Sequence, residues 1–366
     1  MNSPRFSQKR STEFSRTLRK RVKAYFKKNK LNPHANSSMG LKTLTMLSLF
    51  FVPLIIINTG YVSNPWLLIG LYITSGLGMS GIGMGIMHDA IHGSYSKNKT
   101  TNKVLGYTFN LIGANAGVWK IQHNVLHHTY PNIDGADDDI NQPFFLRFSP
   151  KSERLKLHKF QYLYVWFFYA LSTIFWITAK DFVKITRFKN MGFLNKKNEF
   201  RKAVSSIIGW KLLYFSYALI LPLIMVPQPA WIILLAFLFM HLVTGLLIST
   251  VFQVAHILPE TDFPEPDTRN IIAGDWYHHQ LNTTSNFSPK SQVFSWLIGG
   301  LNYQVEHHLF PNICHVHYKN ISGIVKKTAL EFNLPYHINK SFFGAIAGHI
   351  KMLKILGSRD CNKVRL

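Results

Sequence analysis

The sequence predicts an all-α integral membrane protein, and three observations carry that reading. Of the 366 residues 47% are hydrophobic, yet the formal net charge is +24. The apolar residues come in long blocks, with the basic residues gathered between them. Seventeen histidines accompany only two cysteines, Cys314 and Cys361. A soluble domain rarely combines such hydrophobicity with such charge, whereas a membrane protein with basic loops does.

A bilayer crossing takes about 20 apolar residues. Four blocks meet that length: Leu41–Thr59, Trp66–Met87, Ser205–Val226 and Trp231–Val254. Leu105–Val118 is too short and too polar. The links Gly60–Pro65 and Pro227–Pro229 carry no charge, while the segments on the other side, Lys180–Lys202 among them, are dense in Lys and Arg. Positive charge marks the cytoplasmic side, so the four blocks form two helical hairpins with both ends in the cytoplasm. A fifth block, Tyr162–Ala179, is aromatic-rich with basic flanks. If it crossed, the histidines before and after it would lie on opposite faces. It is therefore read as an interfacial helix with its Trp and Tyr residues at headgroup depth.

The expected organisation is a basic cytoplasmic N-terminal arm over residues 1–40, a membrane domain over 41–320 with a histidine-rich cytoplasmic cap, and a basic cytoplasmic tail over 321–366. The first 30 residues hold eleven Lys or Arg against one acid, Glu13. Such a tail can bind nucleic acid, but the apolar segment that follows directly favours a juxtamembrane arm, and no nucleic-acid partner is expected. No cleavable secretory signal is evident.

Two cysteines exclude a disulfide framework and a thiolate metal centre, so any metal chemistry here is imidazole chemistry. The histidines cluster. His88 and His92 are four residues apart at the end of the second apolar block, which places both on one helix face. His123 and His127 repeat the spacing, with His128 offset toward a neighbouring metal. His307 and His308 follow Gln304, Val305 and Glu306, and His256 closes the last long apolar helix. Eight imidazoles are too many for one ion; two ions with about four each, plus water, fit. Neutral imidazole suits Zn, Cu, Fe or Ni, so ligand type alone does not select the metal. Asp89 and Glu306 are candidates to orient ring N–H groups from behind the ligands. His241, inside an apolar helix, is read as a packing residue, and His315 and His317 are left outside the ligand set.

The stretches MGIMHDAIHGSYS, WKIQHNVLHHTYPNIDGADDDI, DWYHHQLNTTSNF and NYQVEHHLFPNICHVHY resemble the membrane fatty acid desaturase family. The resemblance runs from about Gly76 to Tyr318. It is closest to the front-end branch, the Δ5/Δ6 type that includes linoleoyl-CoA desaturase, in which Gln304 stands where other branches have the first histidine of the third box. His256 matches the extra ligand of the family. The resemblance implies two iron ions, O2 as co-substrate, and insertion of a cis double bond into a long-chain, already unsaturated acyl-CoA or acyl-lipid. It makes Gln304 a catalytic residue beside the metals that holds a water or a loose coordination position. Many eukaryotic members carry a fused cytochrome b5 domain with an HPGG motif; none is found here. A separate electron carrier, a ferredoxin or cytochrome b5-type protein, is therefore expected, in a bacterial plasma membrane.

The glycines of Gly76–Gly85 fit either close helix packing or room for an acyl tunnel. Trp276, His279 and Gln280 are candidate substrate contacts. A di-iron hydroxylase or ketolase would use the same ligands, and Gln304 favours desaturation over it. A metal transporter would place its ligands near the bilayer midplane between broken helices; these histidines sit at and beyond helix ends.

Overall fold

The computed structural model describes residues 4–8, 12–141 and 143–358. Cys361 and residues 359–366 of the expected tail lie outside the described residues, as do 1–3 and 9–11 of the expected arm. The chain divides into two compact units. One combines Asn36–Ile121 with Trp166–Ser249; the other combines Met1–Ala35, Gln122–Val165 and Thr250–Leu366.

The first is a helical membrane unit. Its helix Ser37–Asn58 begins at Asn36, whose side chain accepts from the Met39 N–H. The next helix opens on an Asn64 cap with Pro65 in the first turn, where the missing N–H costs nothing. It runs on to His92 through a π turn at Ile82–Ile86. Two glycines fix its packing. A Cβ on Gly78 would stand 2.4 Å from the Phe50 nitrogen, and one on Gly76 would stand 2.6 Å from the Met240 carbonyl oxygen. Neither neighbour is a flexible side-chain end. Gly76 and Gly78 therefore serve close backbone approach.

Five helices among the described residues are long and apolar enough to cross a bilayer, one more than expected. Besides Ser37–Asn58 and Pro65–His92 they are Lys156–Asn190, Glu199–Met225 and Ala230–Gln253. The block expected over Tyr162–Ala179 is the middle of the 35-residue helix Lys156–Asn190, because its basic flanks are helical too. That helix lies against Ala230–Gln253 through Gly245, where an added Cβ would meet the Ala170 carbonyl oxygen at 2.4 Å. Thr173 donates to the His241 carbonyl at 2.8 Å. His241 also meets the Tyr214 hydroxyl at 2.8 Å, so it packs and hydrogen-bonds inside this unit. Lys211, buried in an apolar helix, is fully partnered: it donates to the Gly113 and Trp176 carbonyls and pairs with Asp181 at 2.7 Å.

The second unit holds most of the histidines. Its core joins distant stretches of chain. Phe14, Leu18, Val22 and Phe26 of the helix Glu13–Lys28 pack with Trp276, Tyr277, Tyr318 and Ile321. The stretch read as a basic arm thus contributes an apolar helix face to this core, tied further by Arg21 to Glu331 and Thr328. Two short parallel strand pairs close the unit, Arg5–Phe6 on Ile271–Ile272 and Ser285–Phe287 on His337–Asn339. The final helix, Phe342–Gly357, is held at its end by Gln161, which donates to the Leu353 carbonyl at 3.0 Å.

Candidate metal centre

In the second unit six imidazoles converge. Lys120–His127 forms a π turn, continued by the His128 N–H donating to the His123 carbonyl at 2.9 Å. The wider turn aims His123, His127 and His128 into one space; π turns recur at functional sites for that reason. His256 follows the end of Ala230–Gln253, and the short helix Gln304–Leu309 presents His307 and His308. Ring centroids lie 4.7 Å apart for His127 and His256, 4.8 Å for His256 and His308, 5.0 Å for His127 and His308, and 4.6 Å for His128 and His307. The six rings are buried.

Each ring has its Nδ1 side held from behind or its Nε2 turned inward. The Asp137 carboxylate is 3.0 Å from His127 Nδ1, the Thr283 carbonyl 3.1 Å from His256 Nδ1, and Gln280 Oε1 2.7 Å from His308 Nδ1. The Tyr318 hydroxyl is 3.2 Å from His307 Nδ1, and Asp139 is 3.5 Å from His123 Nδ1. The opposite nitrogens, Nε2 of His127, His256 and His308, are buried without a hydrogen-bond partner. The ligand atoms of these three rings lie within 4.8 Å of one another. Buried polar atoms are normally satisfied. Three orphaned acceptors aimed at one point, each on a ring whose other nitrogen is pinned, fit a metal ion bound through Nε2. The ligand atoms of His128, His307 and His308 also lie within 4.8 Å of one another, with His128 Nε2 2.9 Å from His307 Nε2 and 3.2 Å from His123 Nε2.

The electrostatics agree with that use. Burial holds His256 down to about 3 and His308 well below the ordinary histidine range, so both rings are neutral with lone pairs available. Burial also opposes charge on His127, but the Asp137 and Asp139 carboxylates outweigh it and raise the ring to about 9. A metal on Nε2 would take the place of that extra proton, leaving Nδ1–H on Asp137.

His88 and His92 belong to the membrane unit, in the last turn of Pro65–His92. Gly93 at φ +75° ends that helix in the left-handed conformation that suits glycine. The two rings lie 4.8 Å apart and flank the Trp119 ring at 5.5 and 6.0 Å. Asp89, between them, is buried, and its carbonyl accepts from the Ser94 N–H at 2.9 Å.

Two of the other expected site residues, Glu306 and Gln280, meet partners the sequence did not give them. Glu306 does not orient a ring: it accepts from Asn286 at 2.8 Å and from the Tyr336 hydroxyl at 2.9 Å, and burial raises it to about 7. It anchors the third-box helix to the segment carrying Tyr336. Gln280, expected at the substrate, backs His308. Trp276 donates its indole N–H to the His128 carbonyl at 2.9 Å, and His279 lies buried against Phe6 with ring centroids 5.4 Å apart. Gln304 is buried beside His256, with its amide nitrogen unpartnered. His317 hydrogen-bonds the His34 carbonyl at 3.0 Å, away from the six rings. The sequence reading assigned no role to Asp137, Asp139, Thr283 and Tyr318, although all four lie inside the motifs it quoted.

A sequence profile described as Fatty acid desaturase matches residues 64–340. The chain is 34% identical over 358 residues to the sn-1 linoleoyl-lipid 6-desaturase of Synechocystis sp., covering 96% of this chain and 97% of that protein. It is 33% identical over 349 residues to the protein of the same name from Arthrospira platensis, covering 94% of this chain and 93% of that one. To the acyl-lipid (8-3)-desaturase of Physcomitrium patens it is 32% identical over 362 residues, 94% of this chain and 72% of the other. With the profile covering most of its length and relatives of this similarity aligned nearly end to end, the chain belongs to the fatty acid desaturase family.

Proposed function

We propose that this protein is a di-iron, O2-dependent desaturase that places a cis double bond in an unsaturated acyl chain carried by a membrane lipid, on the carboxyl side of an existing double bond. The observation that carries the reading is the trio of buried, unpartnered Nε2 atoms on His127, His256 and His308. In this reading His88, His92, His123, His127, His128, His256, His307 and His308 hold two iron ions. Iron there supplies the one-electron and O2 chemistry that no side chain offers against an unactivated methylene. The chain's own part is to keep the His256 and His308 rings neutral by burial and to fix ring tautomers through Asp137, Gln280, Thr283 and Tyr318. Gln304 holds a water or a loose position beside His256, so that one coordination site stays open as catalytic metal sites require. The names of the relatives from Synechocystis sp. and Arthrospira platensis support a linoleoyl-lipid substrate.

The topology belongs to the proposal. Three long apolar helices separate His127 from His256 in the chain, yet the two rings lie 4.7 Å apart. An even number of the three must cross. Glu199–Met225 and Ala230–Gln253 form a hairpin through the short link 226–229, so Lys156–Asn190 returns to the side on which it began. Both termini and the histidine boxes then face the cytoplasm of a bacterial plasma membrane. Electrons arrive from a separate ferredoxin or cytochrome b5-type carrier, drawn to the +24 chain by its opposite charge.

Expression in a host without desaturases, with fatty-acid profiling and localisation of the new double bond, tests the reaction. A new cis double bond is expected from the wild type, with none from His127→Ala or His308→Ala. Stoichiometric zinc without iron in active protein, or normal turnover of both variants, would refute it.

A further inference from the structure

Away from the histidines, a cavity of about 620 Å³ opens in the second unit, lined by Arg154, Lys156, Lys159, Phe160, Lys354 and Ser358. Its size is that of a small-molecule site. Gly357 completes the lining; four of the seven residues are cations, and none of the four has an acidic partner among the described residues; nearby Lys151, by contrast, pairs with Glu265 at 2.7 Å. Like charges gathered without counter-charge are unfavourable unless an anion joins them. We propose that this cavity binds the phosphate ester of an anionic membrane lipid.

The cavity is held in shape by the fold. The Arg154 Nε donates to the Gly357 carbonyl at 2.8 Å, and Arg147 donates to the Leu356 carbonyl. A Cβ on Gly357 would fall 2.2 Å from the His158 carbonyl oxygen, so only glycine lets the last helix close so tightly on the segment that carries Lys156 and Lys159. With Nε fixed, the Arg154 guanidinium keeps its two Nη groups for a planar, charge-assisted grip on phosphate. Lys354 rests over the Tyr162 ring at 4.6 Å, which holds its ammonium at the cavity.

The surroundings assign the anion to a lipid. The cations stand at the start of the apolar helix Lys156–Asn190. Leu157, Phe160, Leu163 and Phe167 are exposed there at 37%, 51%, 61% and 61%. Apolar and aromatic side chains next to unpaired lysines are the pattern of a headgroup layer, where each basic residue adds attraction to anionic lipid. A site for a soluble phosphate has no use for that exposed apolar skirt. The site is separate from the metal centre, and the proposal does not depend on the desaturase reading.

The full-length protein in neutral detergent, iron included, is titrated with dihexanoyl phosphatidylglycerol, dihexanoyl phosphatidylcholine, inorganic phosphate and coenzyme A, with binding read by calorimetry. Saturable binding of the phosphatidylglycerol is expected, tighter than of the other three. Lys156→Ala/Lys159→Ala should weaken it about fivefold for each lysine removed. Lys326→Ala/Lys327→Ala, with the same change in net charge, should leave it unaltered. Lys354→Gln serves as a second variant, with thermal melting and iron content confirming that each protein is folded. Equal weakening in both double variants would reduce the effect to net charge and overturn the site. Tighter binding of phosphate or coenzyme A would overturn the lipid source. No binding by the full chain would overturn the proposal outright.

Discussion

Replacing Gln280 by Leu separates holding the metal from holding the substrate. Gln280 is fully buried, and its Oε1 lies 2.7 Å from His308 Nδ1. Leu keeps most of the volume and removes the acceptor. A buried ring N–H left without a partner costs about 1–3 kcal/mol. Loss of the group that orients a metal-binding histidine typically lowers metal affinity or activity about 10–100-fold. A factor of ten is about 1.4 kcal/mol, so the two routes give the same size of effect. Equilibrium dialysis of purified protein against graded iron chelators reads the affinity, and steady-state kinetics on acyl-lipid reads turnover. Iron affinity and kcat should both fall by tens-fold, with KM within about twofold of wild type, if Gln280 acts through the His308 ring that its Oε1 meets. A variant that keeps its iron and shows a large rise in KM would place Gln280 at the substrate and refute the reasoning.

Asp137→Asn removes the charge behind His127 and leaves one oxygen where two had each accepted a backbone N–H, Oδ2 from Asn132 and Oδ1 from Asp139, both at 2.9 Å. Iron affinity should drop about tenfold or more, with some loss of melting temperature from the backbone N–H left without an acceptor, and undiminished iron retention would count against a role at the metal. Gln304→Ala should keep most of its iron and lose much of its turnover; iron loss on the scale of His308→Ala would instead make Gln304 a ligand. In a background without native cysteines, Cys replacing Ser63 or Gln228 should label from outside the cell and Cys replacing Lys196 only from the cytoplasm. External labelling at 196 would mean that Lys156–Asn190 crosses.

The histidine clusters were legible because their members lie close together in the sequence. His88 with His92 and His123 with His127 carry the four-residue spacing in plain view, and His307 with His308 are adjacent. The membrane helices were legible from length and apolarity, except that Lys156–Asn190 continues as helix through the basic flanks of the block Tyr162–Ala179. The groups that hold the ligand rings were not legible. Asp137 lies ten residues beyond His127, Gln280 is 28 before His308, Thr283 is 27 beyond His256 and Tyr318 is 11 beyond His307. No periodicity links such pairs, because loops and turns bring them together. Gln280 sits among aromatic residues in DWYHHQ, and that composition suggested a substrate wall, whereas its amide oxygen lies 2.7 Å from His308 Nδ1.

The N-terminal helix shows the same lesson from the other side. Its charge dominates the count, yet Phe14, Leu18, Val22 and Phe26 recur every four residues, the spacing of one helix face. That face packs on Trp276 and Tyr277, which open the helix carrying Gln280, and on Tyr318, whose hydroxyl meets His307. Two of the groups that hold ligand rings therefore rest on a segment that composition alone would assign to a tail. A helix of this kind is marginal alone and takes its stability from the face it buries. Its packing and the positions of Gln280 and Tyr318 are consequently linked: whatever loosens Phe14 or Leu18 also loosens the backing of His308 and His307, some three hundred residues away in the chain.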